Sequence, residues 1–171
     1  MVRLRYLTDC DEAVRSKVLG WAHTDEYVAR IGMPDRYLQC PPGAENSLGG
    51  RIFNWVIFAG EQPVGVVSAT VQDRPYNRSD TEMDDPADYP SLGMVTYIDP
   101  AHRCRGYASA SKQAISEHPA ASGVRTFGCV IAADNTASLK SIEKAGYECV
   151  RVMPVEGKPD RLHFRRWTCA R

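Results

Sequence analysis

Arg103, Arg105 and Gly106 fall just after a strand-like segment, Met94 to Ile98, that is stopped by Asp99-Pro100. The run Arg103-Cys104-Arg105-Gly106-Tyr107-Ala108 then enters a stretch of helical character reaching about His118, with Tyr107, Ser111, Ala114 and Ile115 on one side. The first N–H groups of a helix lack internal partners and carry partial positive charge, so such a junction favours an anion. Gly106 lets the backbone come close to that anion, Ala108 keeps the next turn thin, and guanidinium groups suit phosphate geometry. The chemistry implied is the holding of a pyrophosphate. A Walker loop is excluded because the Gly-Lys-Ser/Thr ending is missing, and Gly-x-Gly-x-x-Gly is absent too. Taken alone, the pattern fits equally well a junction carrying two solvated arginines.

The flanking sequence separates these readings. Tyr97-Ile98-Asp99-Pro100-Ala101-His102-Arg103-Cys104-Arg105-Gly106-Tyr107-Ala108-Ser109 resembles motif A of the GNAT N-acetyltransferase superfamily. Downstream, Ala133-Asp134-Asn135-Thr136-Ala137-Ser138-Leu139-Lys140-Ser141-Ile142-Glu143-Lys144-Ala145-Gly146-Tyr147 looks like that superfamily's second signature. It is most similar to the branch that acetylates ribosomal-protein N-termini. The resemblance covers roughly residues 51–168. It implies an α/β (α+β) fold: a mixed, mostly antiparallel sheet of six to seven strands, splayed between its fourth and fifth strands and flanked by helices. It also implies acetyl-CoA as co-substrate and no metal. The backbone of Tyr97 and Ile98 would pair with the pantetheine arm, Arg103 to Ala108 with Ser109 would hold the pyrophosphate, and Asn135 would touch the pantetheine from the next helix.

Acetyl transfer to an amine needs a neutral amine, a polarised thioester carbonyl and a stabilised thiolate. Holding both substrates side by side removes the need for a covalent enzyme intermediate. The family's usual acid, a tyrosine seven residues after the helix asparagine, is replaced here by Ile142, which cannot donate a proton. The resemblance points instead to Ser138, three residues after Asn135. Ser138 and Ile142 are four apart and share a helix face; the plainer reading of Ser138 is a first-turn serine satisfying backbone groups. The general base is unassigned. The fourth strand offers only Thr96 and Tyr97, and the remaining candidates are Asp84, Asp85, a water relay and His163. His102 is too near the wrong end of the cofactor; the Glu26 region could line the acceptor cleft, but nothing marks it as catalytic. Cys104 has no base partner and reads as incidental.

These residues must be positioned by the rest of the chain. Val2 to Tyr6 alternates as a first strand, Thr8 offers a helix cap with Asp11 three residues on, and Val14, Val18, Trp21 and Ala22 follow at helical spacing. A short helix over about 25–31 leads to a Pro- and Gly-rich loop, 33–50. Ile52 to Ala59 and Val64 to Val71 form a hairpin around Gly60-Glu61-Gln62-Pro63. The polar segment Gln72 to Pro90 carries Asp73, Asp80, Glu82, Asp84, Asp85 and Asp88, which could attract a cationic amine acceptor; because Arg74 and Arg78 partly offset them, the segment reads rather as solvated charge. Thr126 to Ile131 is a short buried strand; Asp134 or Asn135 caps a helix ending at Gly146; Tyr147 to Met153 and Leu162 to Thr168 close the sheet, with 154–160 between them. This order predicts a mixed sheet whose strands are parallel only where a helix crosses over. The expected organisation is one domain over 1–171, with acceptor-side helices at about 8–32 and an acyl-CoA-binding core at about 51–168. Trp21, Trp55 and Trp167 read as core or cleft walls.

Composition limits the function classes. Of the 171 residues, 21 are Lys or Arg and 21 are Asp or Glu, a zero net charge that argues against a polyanionic partner such as nucleic acid. No apolar run approaches the roughly 18–20 residues needed to span a bilayer, and the first residues do not form a signal peptide, so a cytoplasmic location is expected. The six cysteines, Cys10, Cys40, Cys104, Cys129, Cys149 and Cys169, are widely spaced and read as free thiols. The leading function is acetyl transfer to a primary amine of a small molecule, peptide or protein N-terminus. Alternatives are another acyl donor, including aminoacyl-tRNA, or an acyl-CoA-binding sensor that has lost catalysis. The protein is expected as a monomer or a homodimer, the latter pairing through Leu162 to Thr168 as an edge.

Overall fold

The computed structural model describes residues 2–75 and 85–168. The elements in chain order are β1 (Val2–Tyr6), α1 (Glu12–Ala22), α2 (Asp25–Arg30), α3 (Asp35–Leu38), β2 (Ala44–Glu45), β3 (Arg51–Ala59), β4 (Gln62–Gln72), β5 (Ser91–Ile98), α4 (Tyr107–Ser116), β6 (Thr126–Ala132), α5 (Thr136–Lys144), β7 (Glu148–Val155) and β8 (Lys158–Trp167). They form one sheet in the order β1-β3-β4-β5-β6-β8-β7, with the two-residue β2 also paired to β3. Every neighbouring pair is antiparallel except β5 and β6, which are joined through the α4 crossover. Seven full strands and one two-residue strand agree with the mixed, mostly antiparallel sheet expected from the sequence.

The parallel junction is short. Ser91, Leu92 and Gly93 face Thr126, Phe127 and Gly128, and no pairing continues beyond them. Toward its carboxyl end β5 stays bonded to β4 alone, and β6 to β8 alone. The sheet therefore opens into a V between β5 and β6, the fourth and fifth of the seven full strands. Gly65 lets the far end of β5 lie tightly on β4, because a Cβ there would stand 2.4 Å from the Tyr97 carbonyl oxygen.

Two apolar cores lie on opposite faces of the sheet. On one face Trp55, Ile57, Val64, Leu92, Ile115, Phe127 and Ile142 pack beneath α4 and α5. On the other, Val18, Trp21 and Tyr27 of α1 and α2 pack with Leu38 on Val56, Phe58, Val66 and Tyr97. Alternation along each strand, with inward residues on both faces, explains why β3 and β4 are buried almost end to end.

Several local expectations change. Asp11, not Thr8, caps α1, its carboxylate accepting from the Val14 N–H at 2.8 Å, while Thr8 sits in a preceding 3₁₀ turn. The segment 33–50 contains α3 and β2. β7 and β8 extend to Val155 and from Lys158, leaving a two-residue connection where a longer loop was expected. β8 lies between β6 and β7, so the segment Leu162 to Thr168 is not a sheet edge; the edge strands are β1 and β7. Asp88 is not solvated charge: it is 4% exposed, accepts from Arg165 Nη1 at 2.6 Å and from the Trp167 indole at 2.8 Å. Asp73 pairs with Arg51. Arg78, Asp80, Glu82, Asp84 and Cys169 lie outside the described residues. The five described cysteines are free thiols.

Lys112 is buried in α4, where its amine donates to the Ala108 carbonyl at 3.3 Å and to Ser141 Oγ of α5 at 3.4 Å. Burial pushes its pKa below the ordinary 10.5, an effect partly countered by the nearby Cys129 thiol. The cost of burying this charge is complete at pH values below the lowered folded pKa, and it fades as pH rises toward 10.5, because the folded state releases the proton first. Lys112→Met is therefore expected to stabilise the fold by on the order of 1–3 kcal/mol. Thermal melts across pH should show the gain largest at neutral pH and shrinking toward pH 10.5; a destabilised variant at neutral pH would contradict this balance.

Candidate active site

β5 and β6 each end in a turn leading to a helix, so the amino ends of α4 and α5 both border the open side of the V. Ligands of open α/β sheets bind outside the carboxyl ends of strands that part in this way. The two helices are held together by the Ser109 and Ser141 hydroxyls, 3.1 Å apart, and by Lys112.

The turn before α4 is shaped for an anion. Asp99 caps a 3₁₀ turn over Pro100–His102. Cys104 then adopts φ +60° and Gly106 φ +79°, two left-handed residues flanking Arg105. Such alternation curls successive N–H groups toward one point, and the φ at Gly106 is one that few side chains tolerate. Beyond the turn, the first N–H to find an acceptor is that of Ala110, which donates to the Gly106 carbonyl at 3.0 Å. Among the described residues, the N–H groups of Cys104 to Ser109 find no acceptor. Arg105 is exposed and makes no ion pair among the described residues. Cys104 is thus more than incidental to the backbone: among the described residues it holds the one positive φ outside glycine.

Arg103 is occupied differently. Its Nη1 and Nη2 donate to the two carboxylate oxygens of Glu26 at 2.7 and 2.9 Å, and its Nε donates to the Ile98 carbonyl at 3.0 Å. Its guanidinium lies 5.6 Å from the centre of the Tyr97 ring. The pair holds the Glu26 carboxyl below its usual range. Glu26 and Arg103 are 77 positions apart, and no spacing signal links them. Lys112 did leave a signal, a charged residue at the inward i, i+4, i+7 spacing of Ala108 and Ile115.

Tyr97 turns its ring away from the V into the α1–α2 core, 5.2 Å from Tyr27, whose hydroxyl burial pushes up to about 12. The backbone of Tyr97 and Ile98 lies beyond the last β5–β6 pair, with β4 on its other side. Tyr107, Ala108 and Ser109 form the first turn of α4, half-buried. Across the V, Asn135 rather than Asp134 caps α5, its Oδ1 accepting from the Ser138 N–H at 3.2 Å. Ser138 is half-buried in that first turn, and its hydroxyl makes no hydrogen bond among the described residues. Ile142 is fully buried in the core and takes no part in the site.

Among the described residues, the acids and histidines considered as bases have other neighbours, while Asp84 lies outside them. Asp85 caps the Pro86–Asp88 turn, Glu26 serves Arg103, His102 Nδ1 is 3.3 Å from Asp99, and His163 lies beside Arg151. Thr96 Oγ1 is buried without a hydrogen-bond partner. On the α1–α3 face, a cavity of about 260 Å³ is lined by uncharged residues including Ile31, Met33, Tyr37, Ile52, Ser68 and Thr70. Thr70 pairs with Gly93 at the closed end of the V. No group of three potential metal ligands occurs among the described residues, nor a helix long and apolar enough to cross a membrane.

Known proteins carry the same architecture. The aminoglycoside acetyltransferase AAC(6')-Ib, solved with coenzyme A and kanamycin, superposes with a TM-score of 0.70 at 16% identity, covering 98% of this chain and 95% of that one. The N-acetyltransferase PseH of Campylobacter jejuni, solved with acetyl coenzyme A, gives 0.61 at 14% identity over 99% and 100%. RimL, a ribosomal L7/L12 α-N-protein acetyltransferase solved in its apo form, gives 0.68 at 17% identity over 97% and 90%. No curated protein sequence matches significantly. The profile of the acetyltransferase (GNAT) domain matches residues 3–148, most of the chain. On that match, and on a sheet that splays between β5 and β6, the chain belongs to the GNAT acetyltransferases, a family of acyl-CoA-dependent transferases.

Proposed function

We propose that this protein transfers acetyl from acetyl-CoA to a primary amine by direct attack with both substrates bound. The observation that carries the reading is the set of unsatisfied N–H groups from Cys104 to Ser109 at the mouth of the V. Backbone donors fixed in this way bind a pyrophosphate without reorganising, and Arg105 adds a full charge beside them. The backbone of Tyr97 and Ile98 at the open end of β5, where the Ile98 carbonyl already accepts from Arg103 Nε, would pair with the pantetheine amides, and Asn135 would meet the same arm from α5. The turn chemistry fits the group, since a side chain at position 106 would meet a strained φ.

Acetyl-CoA supplies the activated thioester. The chain's own part is to orient it against the β5 edge, exclude water, and stabilise the departing sulfur. Ser138 is proposed for the last task because its hydroxyl is uncommitted and stands one turn before the buried Ile142. The acceptor reaches the V from the α1–α3 face, where the uncharged cavity is lined by Thr70, the β4 partner of Gly93. Removing the amine's proton is assigned to solvent or to a residue outside the described set. AAC(6')-Ib is an aminoglycoside acetyltransferase and RimL an α-N-protein acetyltransferase; the acceptor of this chain is proposed only as a primary amine.

Free-thiol release from acetyl-CoA should be tested with spermidine, kanamycin and a peptide bearing a free N-terminus, beside calorimetry of acetyl-CoA binding. Turnover on at least one amine is expected; tight binding with no turnover would favour an acyl-CoA sensor, a reading that the buried Ile142 supports. Arg105→Ala should weaken acetyl-CoA binding about tenfold, a loss typical of a charge-assisted contact, and unchanged affinity would remove it from the cradle. Ser138→Ala should lower kcat roughly 10- to 100-fold while leaving acetyl-CoA affinity within about twofold. An unaffected kcat would take Ser138 out of the mechanism.

A further inference from the structure

Arg103 lies inside the coenzyme-binding motif, yet its guanidinium faces the other substrate's side of the molecule. Three of its N–H groups are spent: two on Glu26 of α2 and one on the Ile98 carbonyl at the end of β5. Its flat face covers Tyr97, whose ring packs against Tyr27 in α2 and Trp21 in α1. The bidentate geometry fixes both distance and angle, which a single point contact would not. Glu26 also lies 3.4 Å from Arg30, at the end of the same helix.

Immediately after α2 the chain forms a wall of the uncharged cavity through Ile31 and Met33. α2 has only six residues and little helical stability of its own, so its placement depends on tertiary contacts. Beyond the burial of Tyr27, the Glu26 pair is the polar contact that ties it to the β5–α4 junction. That junction carries both the end of β5 at Tyr97 and Ile98 and the N–H cradle.

From this geometry we infer that Arg103 and Glu26 are positioning residues for the amine acceptor: they clamp α2, and with it the acceptor wall, to the coenzyme turn, and the phosphate charge is met by Arg105 and the backbone. The inference rests on the coenzyme reading of residues 104–109. It predicts a division of labour between two arginines two positions apart in one motif. Arg105 variants lose coenzyme affinity. Arg103 and Glu26 variants lose the acceptor.

The test compares Glu26→Gln, Arg103→Gln, the double variant and Arg105→Ala. Three quantities are read: acetyl-CoA affinity by calorimetry, amide hydrogen exchange across residues 25–33, and the acceptor KM for the best-used amine among spermidine, kanamycin and the peptide. Glu26→Gln and Arg103→Gln should each raise acceptor KM and speed exchange in α2 about tenfold, with acetyl-CoA affinity within about twofold of the parent. The double variant should be no worse than either single one, as expected for two partners of one interaction. Arg105→Ala should do the reverse. If Arg103→Gln weakens acetyl-CoA as Arg105→Ala does while α2 exchange stays at the parent rate, the clamp is overturned. A parent protein that fails to bind acetyl-CoA would overturn the coenzyme reading instead, and if no amine turns over, affinity and exchange still decide the clamp.

Discussion

The structure depends on a failure of pairing. β5 and β6 start as parallel neighbours and part after three residue pairs. Backbone N–H and C=O groups require partners, and in a continuous sheet the far ends of these strands would satisfy one another. Here they do not, and each strand instead runs into a helix: the first N–H groups of α4 are unsatisfied, while those of α5 are largely met by Asn135 and the Asp134 carbonyl. The opening is therefore polar by construction: a strand edge on one side, two helix amino ends at its rim, and apolar cores sealing both faces of the sheet. Gly65 presses β4 onto β5 and α4 crosses over above the junction. Both help keep the strand ends where a long, amide-bearing ligand can replace the missing sheet partner.

The two halves of the molecule meet at this opening through different means. On the α4–α5 face the contact is short-range and hydroxyl-rich, through Ser109, Ser141 and the buried Lys112. On the α1–α2 face it is aromatic and ionic, through Tyr27, Tyr97 and the pair of Glu26 with Arg103. A coenzyme in the V would touch elements from both faces. Under the proposed reading, the acceptor wall and the coenzyme turn are parts of one connected unit, joined at the end of β5.

What could be read in advance follows the range of the interactions involved. The strand–turn–helix junction and the hairpin of β3 and β4 are local and left clear marks in composition and spacing, while the α5 cap was narrowed only to Asp134 or Asn135. The splay was expected only through the resemblance to a family, because nothing in the pattern of β5 or β6 announces where their pairing stops. The clamp of Glu26 on Arg103 was not legible, since a bidentate pair across 77 positions is set by how α2 packs on Tyr97. The burial of Asp88 under Arg165 and Trp167 was likewise hidden within an acidic stretch that looked solvated. The place of β8 inside the sheet is a matter of topology: the last strand inserts between β6 and β7, and sequence order alone does not reveal it.

The central claim is that the unsatisfied backbone of the β5–α4 junction receives coenzyme A. It is tested most directly by following backbone amide resonances while coenzyme A is added to the protein. The account predicts that the largest shifts fall on the amides of Cys104 to Ser109, with smaller ones at Tyr97, Ile98 and Asn135. Saturable binding with these amides unmoved, and the shifts gathered on another part of the sheet, would contradict it.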